Sequence, residues 1–179
     1  MKKGMLMPVC TIAISAAVLF ALSFGLKATA QKNLEEKRLW LMKTLLPESE
    51  SFSEEEEYTG EDTNIQGVYK ALNGYVIETE VYGYAGNIQM FIGVINEGTV
   101  TGVVVNDMAE TYGLGAKALR DHKFLAQFLN GQGDFVIGEG IDAITGATVT
   151  SKAVAKSINS AVAFVTGADV ETEATSWGG

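Results

Sequence analysis

Tyr75-Val76-Ile77-Glu78-Thr79-Glu80-Val81-Tyr82 carries the pattern from which the architecture follows. β-branched and aromatic residues dominate it, and polar and apolar positions alternate. A period of two is that of a strand with one face turned inward. Downstream, Ile88 to Ile95 and Val100 to Val105 flank Asn96-Glu97-Gly98, which predicts a hairpin. Gly115 to Leu129 reads as a helix, with Ala118, Leu119, Leu125, Phe128 and Leu129 apolar and Asn130-Gly131 as its stop. Phe135-Val136-Ile137 reads as a short strand. Beyond it Val154, Ile158, Ala161, Val162 and Val165 recur at three- and four-residue spacing, the apolar stripe of a second helix. This order predicts an α+β domain: a small, mainly antiparallel sheet packed with helices.

Upstream, Gln31 to Leu46 reads as an amphipathic helix ended by Pro47. Leu34, Leu41 and Leu45 share a stripe, with Trp40 and Met42 near it, and Glu35, Glu36, Lys37, Arg38 and Lys43 form the polar side. Trp40 suits either a membrane interface or a packing site. Glu48 to Asp62 holds eight acids and no base, and reads as a solvated connection.

Gly4 to Leu26 contains 23 positions without a charge. As a helix rising ~1.5 Å per residue it spans about 34 Å, more than the ~30 Å core of a bilayer. The expectation is an N-terminal transmembrane helix. Lys2 and Lys3 place the N-terminus in the cytoplasm, although Lys27, Lys32, Lys37 and Arg38 weaken the asymmetry. Ala28-Thr29-Ala30 resembles a leader cleavage site, so a secretory signal peptide is the alternative. The apolar stretch exceeds the usual ~7–15 residues of a leader core, which favours an uncleaved anchor. Either reading puts the rest of the chain outside the cytoplasm. The expected organisation is 1–27 anchor, 28–66 juxtamembrane helix and acidic connection, 67–166 globular domain and 167–179 tail.

Residues 28–179 carry ten basic against 22 acidic residues, a balance near −12. Nucleic acid needs a basic face, so that class is disfavoured. So is charge-driven docking on anionic lipid. Cys10 is the single cysteine and lies within the apolar stretch, so no disulfide within the chain and no cysteine cluster is expected. His122 is the single histidine, which argues against a histidine-based metal site or a hydrolase triad. It is expected on a helix surface.

Two short segments carry chemistry. The first is Asp142-Ala143-Ile144-Thr145-Gly146-Ala147-Thr148, followed by Val149-Thr150-Ser151-Lys152 and the C-terminal helix. Thr148, Thr150 or Ser151 suits a helix start. A helix N-terminus offers unpaired N–H groups and partial positive charge, which favour a phosphate. Gly146 and Ala147 let a bulky ligand approach the backbone, and Lys152 adds a cationic donor one turn on. The plainer reading is a glycine turn with a threonine cap. The second segment is Glu110-Thr111-Tyr112-Gly113-Leu114-Gly115, whose glycines at spacing two allow a tight turn near a ligand. It lacks the third glycine of a dinucleotide fingerprint.

Together the two segments resemble an FMN-binding domain shared by the RnfG-type subunit of the Rnf electron-transport complex and the C-type subunit of the sodium-pumping NADH:quinone reductase. That domain has a Glu-Thr-Pro-Gly-Leu-Gly-like loop and, some thirty residues later, Ser/Thr-Gly-Ala-Thr. Tyr112 stands here for the usual proline. The resemblance covers roughly Gly67 to Val165, and the short exterior portion is closer to the Rnf protein. It implies covalent FMN attached through a phosphoester to Thr148 by a dedicated FMN transferase. Asp142, Thr145, Gly146 and Ala147 complete the recognition motif, and Glu110, Thr111, Gly113, Leu114 and Gly115 lie beside the flavin ring. Tyr82 and Tyr84 are either ring neighbours or sheet residues. The implied role is a redox relay with no catalytic residue and no metal of its own. It sits in a membrane complex, with other membrane and iron–sulfur subunits, moving electrons between ferredoxin and NAD coupled to sodium ions or protons. The alternatives are a component like the C-type subunit of the quinone reductase, a stand-alone exterior flavoprotein reductase, or a flavin-free anchored binding module. A reductase needs convergent groups beside the flavin, and only Lys117, Arg120, Lys123 and Lys152 lie near the motifs.

Overall fold

The computed structural model describes residues 29–53, 56–109, 115–116 and 119–168, together with Ser15 and Phe20. The chain divides into two compact units, Met1–Trp40 and Leu41–Gly179. In the first, residues 29–40 are helical, and Leu34, Leu39 and Trp40 are exposed. Among the described residues no helix is long and apolar enough to cross a membrane. The anchor expected over Gly4 to Leu26 lies outside the described residues apart from Ser15 and Phe20.

The second unit opens with a helical stretch over 41–45, labelled α1. A five-stranded antiparallel meander follows: β1 (Glu56–Glu57), β2 (Ile65–Lys70), β3 (Gly74–Tyr82), β4 (Asn87–Ile95) and β5 (Val100–Met108), in that spatial order. The period-two pattern works on both faces. Ile77, Val81, Ile88, Met90, Ile92 and Val94 point to one core, and Val76 and Phe91 to the other. The hairpin between β4 and β5 turns at Asn96–Gly98, with the Ile95 N–H donating to Thr99 O at 3.0 Å.

The first core is closed by α3 (Thr148–Thr166), which packs on β2, β3 and β4 and supplies Val154, Ile158, Ala161 and Val162. The second is closed by Leu41, Met42, Leu45 and Leu46 over Tyr69, Val76 and Phe91. Gly93 and Gly102 pair across β4 and β5 beneath that helical end. A Cβ on Gly93 would stand 2.8 Å from Leu45 O, and one on Gly102 2.7 Å from Leu45 Cδ2. The Thr101 hydroxyl donates to Leu45 O at 2.6 Å, satisfying a carbonyl at the helix end.

Two expectations change. Gly115 to Leu129 is not one helix. Gly115 and Ala116 are helical, but Asp121 is extended (φ −78°, ψ 100°) and its carboxylate accepts the Lys123 N–H at 2.9 Å. That cap starts a new short helix, α2 (His122–Ala126), because an Asp side chain competes with the helix backbone. The chain then leaves through Asn130 at φ 61°, the expected stop. The acidic stretch Glu48 to Asp62 is not simply a solvated connection. β1 pairs with β2, Phe52 bridges Ala71, and the Ser53 N–H donates to Lys70 O at 2.8 Å. Ser49 is buried and bonds Asn73 through its hydroxyl. Backbone pairing on a sheet edge is indifferent to side-chain charge when the side chains reach water.

Candidate functional site

The motif enters from β6 (Val136–Ile137) and β7 (Gly140–Ile141), a small parallel pair. Upstream of the motif and outside it, Phe135 is bonded to α3: Asn159 Oδ1 accepts the Phe135 N–H at 2.9 Å, and Nδ2 donates to Phe135 O at 3.1 Å. Phe124, Phe128 and Phe135 stack edge to face at 5.4 and 5.3 Å, binding α2 to the same segment.

Ile144 to Ala147 forms a tight turn, with the Ala147 N–H donating to Ile144 O at 2.9 Å. Gly146, third in the turn, takes φ 80°, where a side chain would be strained. Ser151 holds the turn from inside. Its hydroxyl accepts the Ile144 N–H at 3.1 Å and donates to Ala147 O at 2.9 Å. The buried Ser151 does this from the first turn of the helix that follows.

That helix is α3. Its N-cap is Ala147, which has no side-chain cap, and Thr148 is the first helical residue. Thr148 is exposed, and among the described residues its hydroxyl bonds nothing. Thr150 and Ser151 are buried instead. A plain threonine cap would have spent its hydroxyl on the helix N–H groups. Here Thr148 lies one position past the cap, as the first residue of a 19-residue helix whose N-cap residue supplies no side-chain bond. Exposed Lys152 follows one turn on, on the same face.

Beside the turn lies an open cleft of about 660 Å³. Lys123, Phe124 and Gln127 form one wall; Asp142, Ile144 and Thr145 form the other. Asp142, Thr145 and Gly146 are exposed, and Ala147 is buried. Gly115 is buried and anchors a turn to Leu119 N–H at 3.1 Å, but is not among the residues lining the cleft. Glu110, Thr111, Gly113 and Leu114 lie outside the described residues. Tyr82 and Tyr84 are exposed, and Tyr82, at the end of β3, donates its hydroxyl to Ala85 O at 3.4 Å. His122 is exposed at the start of α2.

An uncapped hydroxyl, a helix N-terminus, a glycine turn and a lysine are suited to a phosphoester and the group it carries. Gln127 escaped the sequence reading. Ser151 was read only as a candidate helix start, and its hold on the turn was not foreseen. Gln127 meets the motif only because the fold brings α2 back across fifteen positions of chain.

Residues 83–163 match the model of the FMN-binding domain family. The chain is 33% identical over 171 residues to the G subunit of an ion-translocating oxidoreductase complex from Methanosarcina acetivorans, across 86% of this chain and 89% of the relative. It is 38% identical over 99 residues to the G subunit of the proton-translocating ferredoxin:NAD(+) oxidoreductase complex of Clostridium ljungdahlii, 51% of this chain and 53% of that one. It is 35% identical over 100 residues to the G subunit of the Na(+)-translocating counterpart in Acetobacterium woodii, 50% and 47% of the two chains. The chain thus spans most of the first relative and about half of the other two. Similarity over most of both chains to the Methanosarcina acetivorans protein, with an FMN-binding domain from just after β3 to α3, makes this chain a member of the G-subunit family of ion-translocating oxidoreductase complexes.

Proposed function

We propose that this protein is a membrane-anchored carrier of covalent FMN that relays electrons between ferredoxin and NAD within an ion-translocating complex. The flavin, when bound, supplies the electron transfer; the protein holds it and keeps it near its partners. The observation that carries the reading is the exposed, uncapped hydroxyl of Thr148 at the N-terminus of α3, inside a domain of the FMN-binding family.

In this reading Thr148 bears the phosphoester. The N–H groups of the first turn of α3 and Lys152 offset the phosphate charge. Gly146 and Ala147 keep the backbone low beside it, and the exposed Asp142 and Thr145 are read by the FMN transferase that installs the group. Glu110, Thr111, Gly113, Leu114 and Gly115 flank the ring. Gly4 to Leu26 forms the single membrane anchor, with the N-terminus in the cytoplasm and the flavin domain on the outer side. The flavin-carrying part is 67–166, within the compact unit that starts at Leu41, and the other subunits of the complex are the redox partners. A covalent tether suits a domain outside the cytoplasm, where lost FMN is not readily replaced.

The test is in-gel fluorescence of denatured protein after co-expression with an FMN transferase, with Thr148→Ala alongside. A yellow-green band present in the wild type and absent from the variant is expected. A band in both would move the attachment elsewhere, and a band in neither would remove the electron-carrier reading.

A further inference from the structure

Asp142, the first residue of the attachment motif, is gripped by a side chain from another element. Gln127, the C-cap of α2, accepts the Asp142 N–H through Oε1 at 2.8 Å and donates through Nε2 to Asp142 O at 3.2 Å. The Asp142 backbone is thus bonded in both directions, and its side chain is exposed at the rim of the cleft. Nε2 also reaches Phe124 O at 3.4 Å, and Phe124 is buried in the aromatic stack, so the amide is braced against the core. Further along the chain, Ser151 fixes the turn that presents Thr148. The motif is therefore held at its two ends by two side chains that are not part of it.

We propose that Gln127 is a positioning residue for flavin attachment: it fixes the Asp142 backbone so that the transferase meets the motif in one preformed shape. The inference rests on the reading of Thr148 as the attachment point. In the step it serves, the Thr148 Oγ bonds to the phosphorus of the FMN half of a flavin dinucleotide donor. The pyrophosphate P–O bond breaks, the nucleoside monophosphate half leaves, and the hydroxyl proton passes to a base on the transferase; no electrons change hands. Gln127 touches none of these atoms. Its effect is to spare the transferase the ordering of a loose segment, and so it falls on acceptor recognition.

The experiment uses the full chain in detergent, produced without transferase, then incubated with purified FMN transferase and flavin adenine dinucleotide. Initial rates of covalent incorporation are measured across acceptor concentrations for wild type, Gln127→Leu, Asn159→Leu and Thr148→Ala. Two lost hydrogen bonds correspond to about tenfold in an equilibrium. Gln127→Leu is expected to raise the acceptor KM about tenfold with kcat nearly unchanged, and to speed hydrogen exchange at the Asp142 amide by a similar factor. Asn159→Leu removes the same kind of bond pair from Phe135 and is expected to leave KM near wild type. A wild-type KM in Gln127→Leu, an equal rise in both leucine variants, a loss confined to kcat, or unchanged exchange at Asp142 each overturns the proposal. Flavin on Thr148→Ala, or on no variant at all including wild type, defeats the attachment reading itself and the clamp with it.

Discussion

Thr148 and Asp142 are exposed, and neither side chain bonds any described residue. Surface substitutions of that kind change stability by no more than about 0.5 kcal/mol. Thr148→Ala should therefore unfold within that margin of wild type in a denaturant titration while carrying no covalent flavin. A large loss of stability would return Thr148 to a structural role. Asp142→Ala should slow or block attachment with the same unchanged unfolding curve, because Gln127 binds the Asp142 backbone and not its carboxylate. Full attachment at the wild-type rate would free Asp142 from any part in recognition. Gly146 was legible as a turn glycine in sequence. The role of Ser151 was not, since nothing in a serine on a helix announces that it bonds Ile144 and Ala147 together.

At the scale of elements, the seat of α1 on the sheet and the seam of α3 on β3 follow different physics. Under α1 the sheet gives way: Gly93 and Gly102 leave room for Leu45, and Thr101 takes its carbonyl. A Cβ on Gly93 crowds Thr101 Oγ1 and the Leu45 carbonyl, whereas one on Gly102 crowds only the end of the Leu45 side chain. Gly93→Ala should cost about 1–3 kcal/mol, as overpacking does, and Gly102→Ala clearly less. Urea unfolding of the two variants checks the order, and equal costs would mean that Leu45 can shift as a whole. On the other face, Thr79 Oγ1 and Ser157 Oγ lie 2.5 Å apart, and Asn64 Nδ2 donates to Ser160 Oγ at 3.1 Å. The strands and α3 were readable from period and spacing. These buried serines were not, because a hydropathy pattern marks them as solvent-facing.

At the scale of the molecule, among the described residues both cores are built from Leu41 onward. The sheet is covered on its two faces by elements of that one unit, and β1 and the neighbouring acidic stretch close its first edge. A fragment of residues 41–168 should therefore unfold in a single cooperative transition and accept covalent flavin from the transferase. A fragment that is unfolded, or that folds and refuses flavin, would show that residues 1–40 contribute to the domain. The proposed anchor would then bear on the flavin site as well as on location.

From the sequence alone came the elements that depend on local order. Alternation along Tyr75–Tyr82 gave β3, Asn96-Glu97-Gly98 the hairpin, and apolar spacing α3. The turn over Ile144 to Ala147, with its glycine, and the helix start after it were equally visible, since both are set by neighbours in the chain. Tertiary structure alone decided the rest. It placed Gln127 on Asp142, Asn159 on Phe135, and the end of α1 over Gly93 and Gly102. Those contacts join residues far apart in sequence, and their energy exists only after the sheet and helices have packed. Asp121 breaking the expected helix belongs with them: its cap competes with helix backbone at a position where periodicity alone favoured continuation.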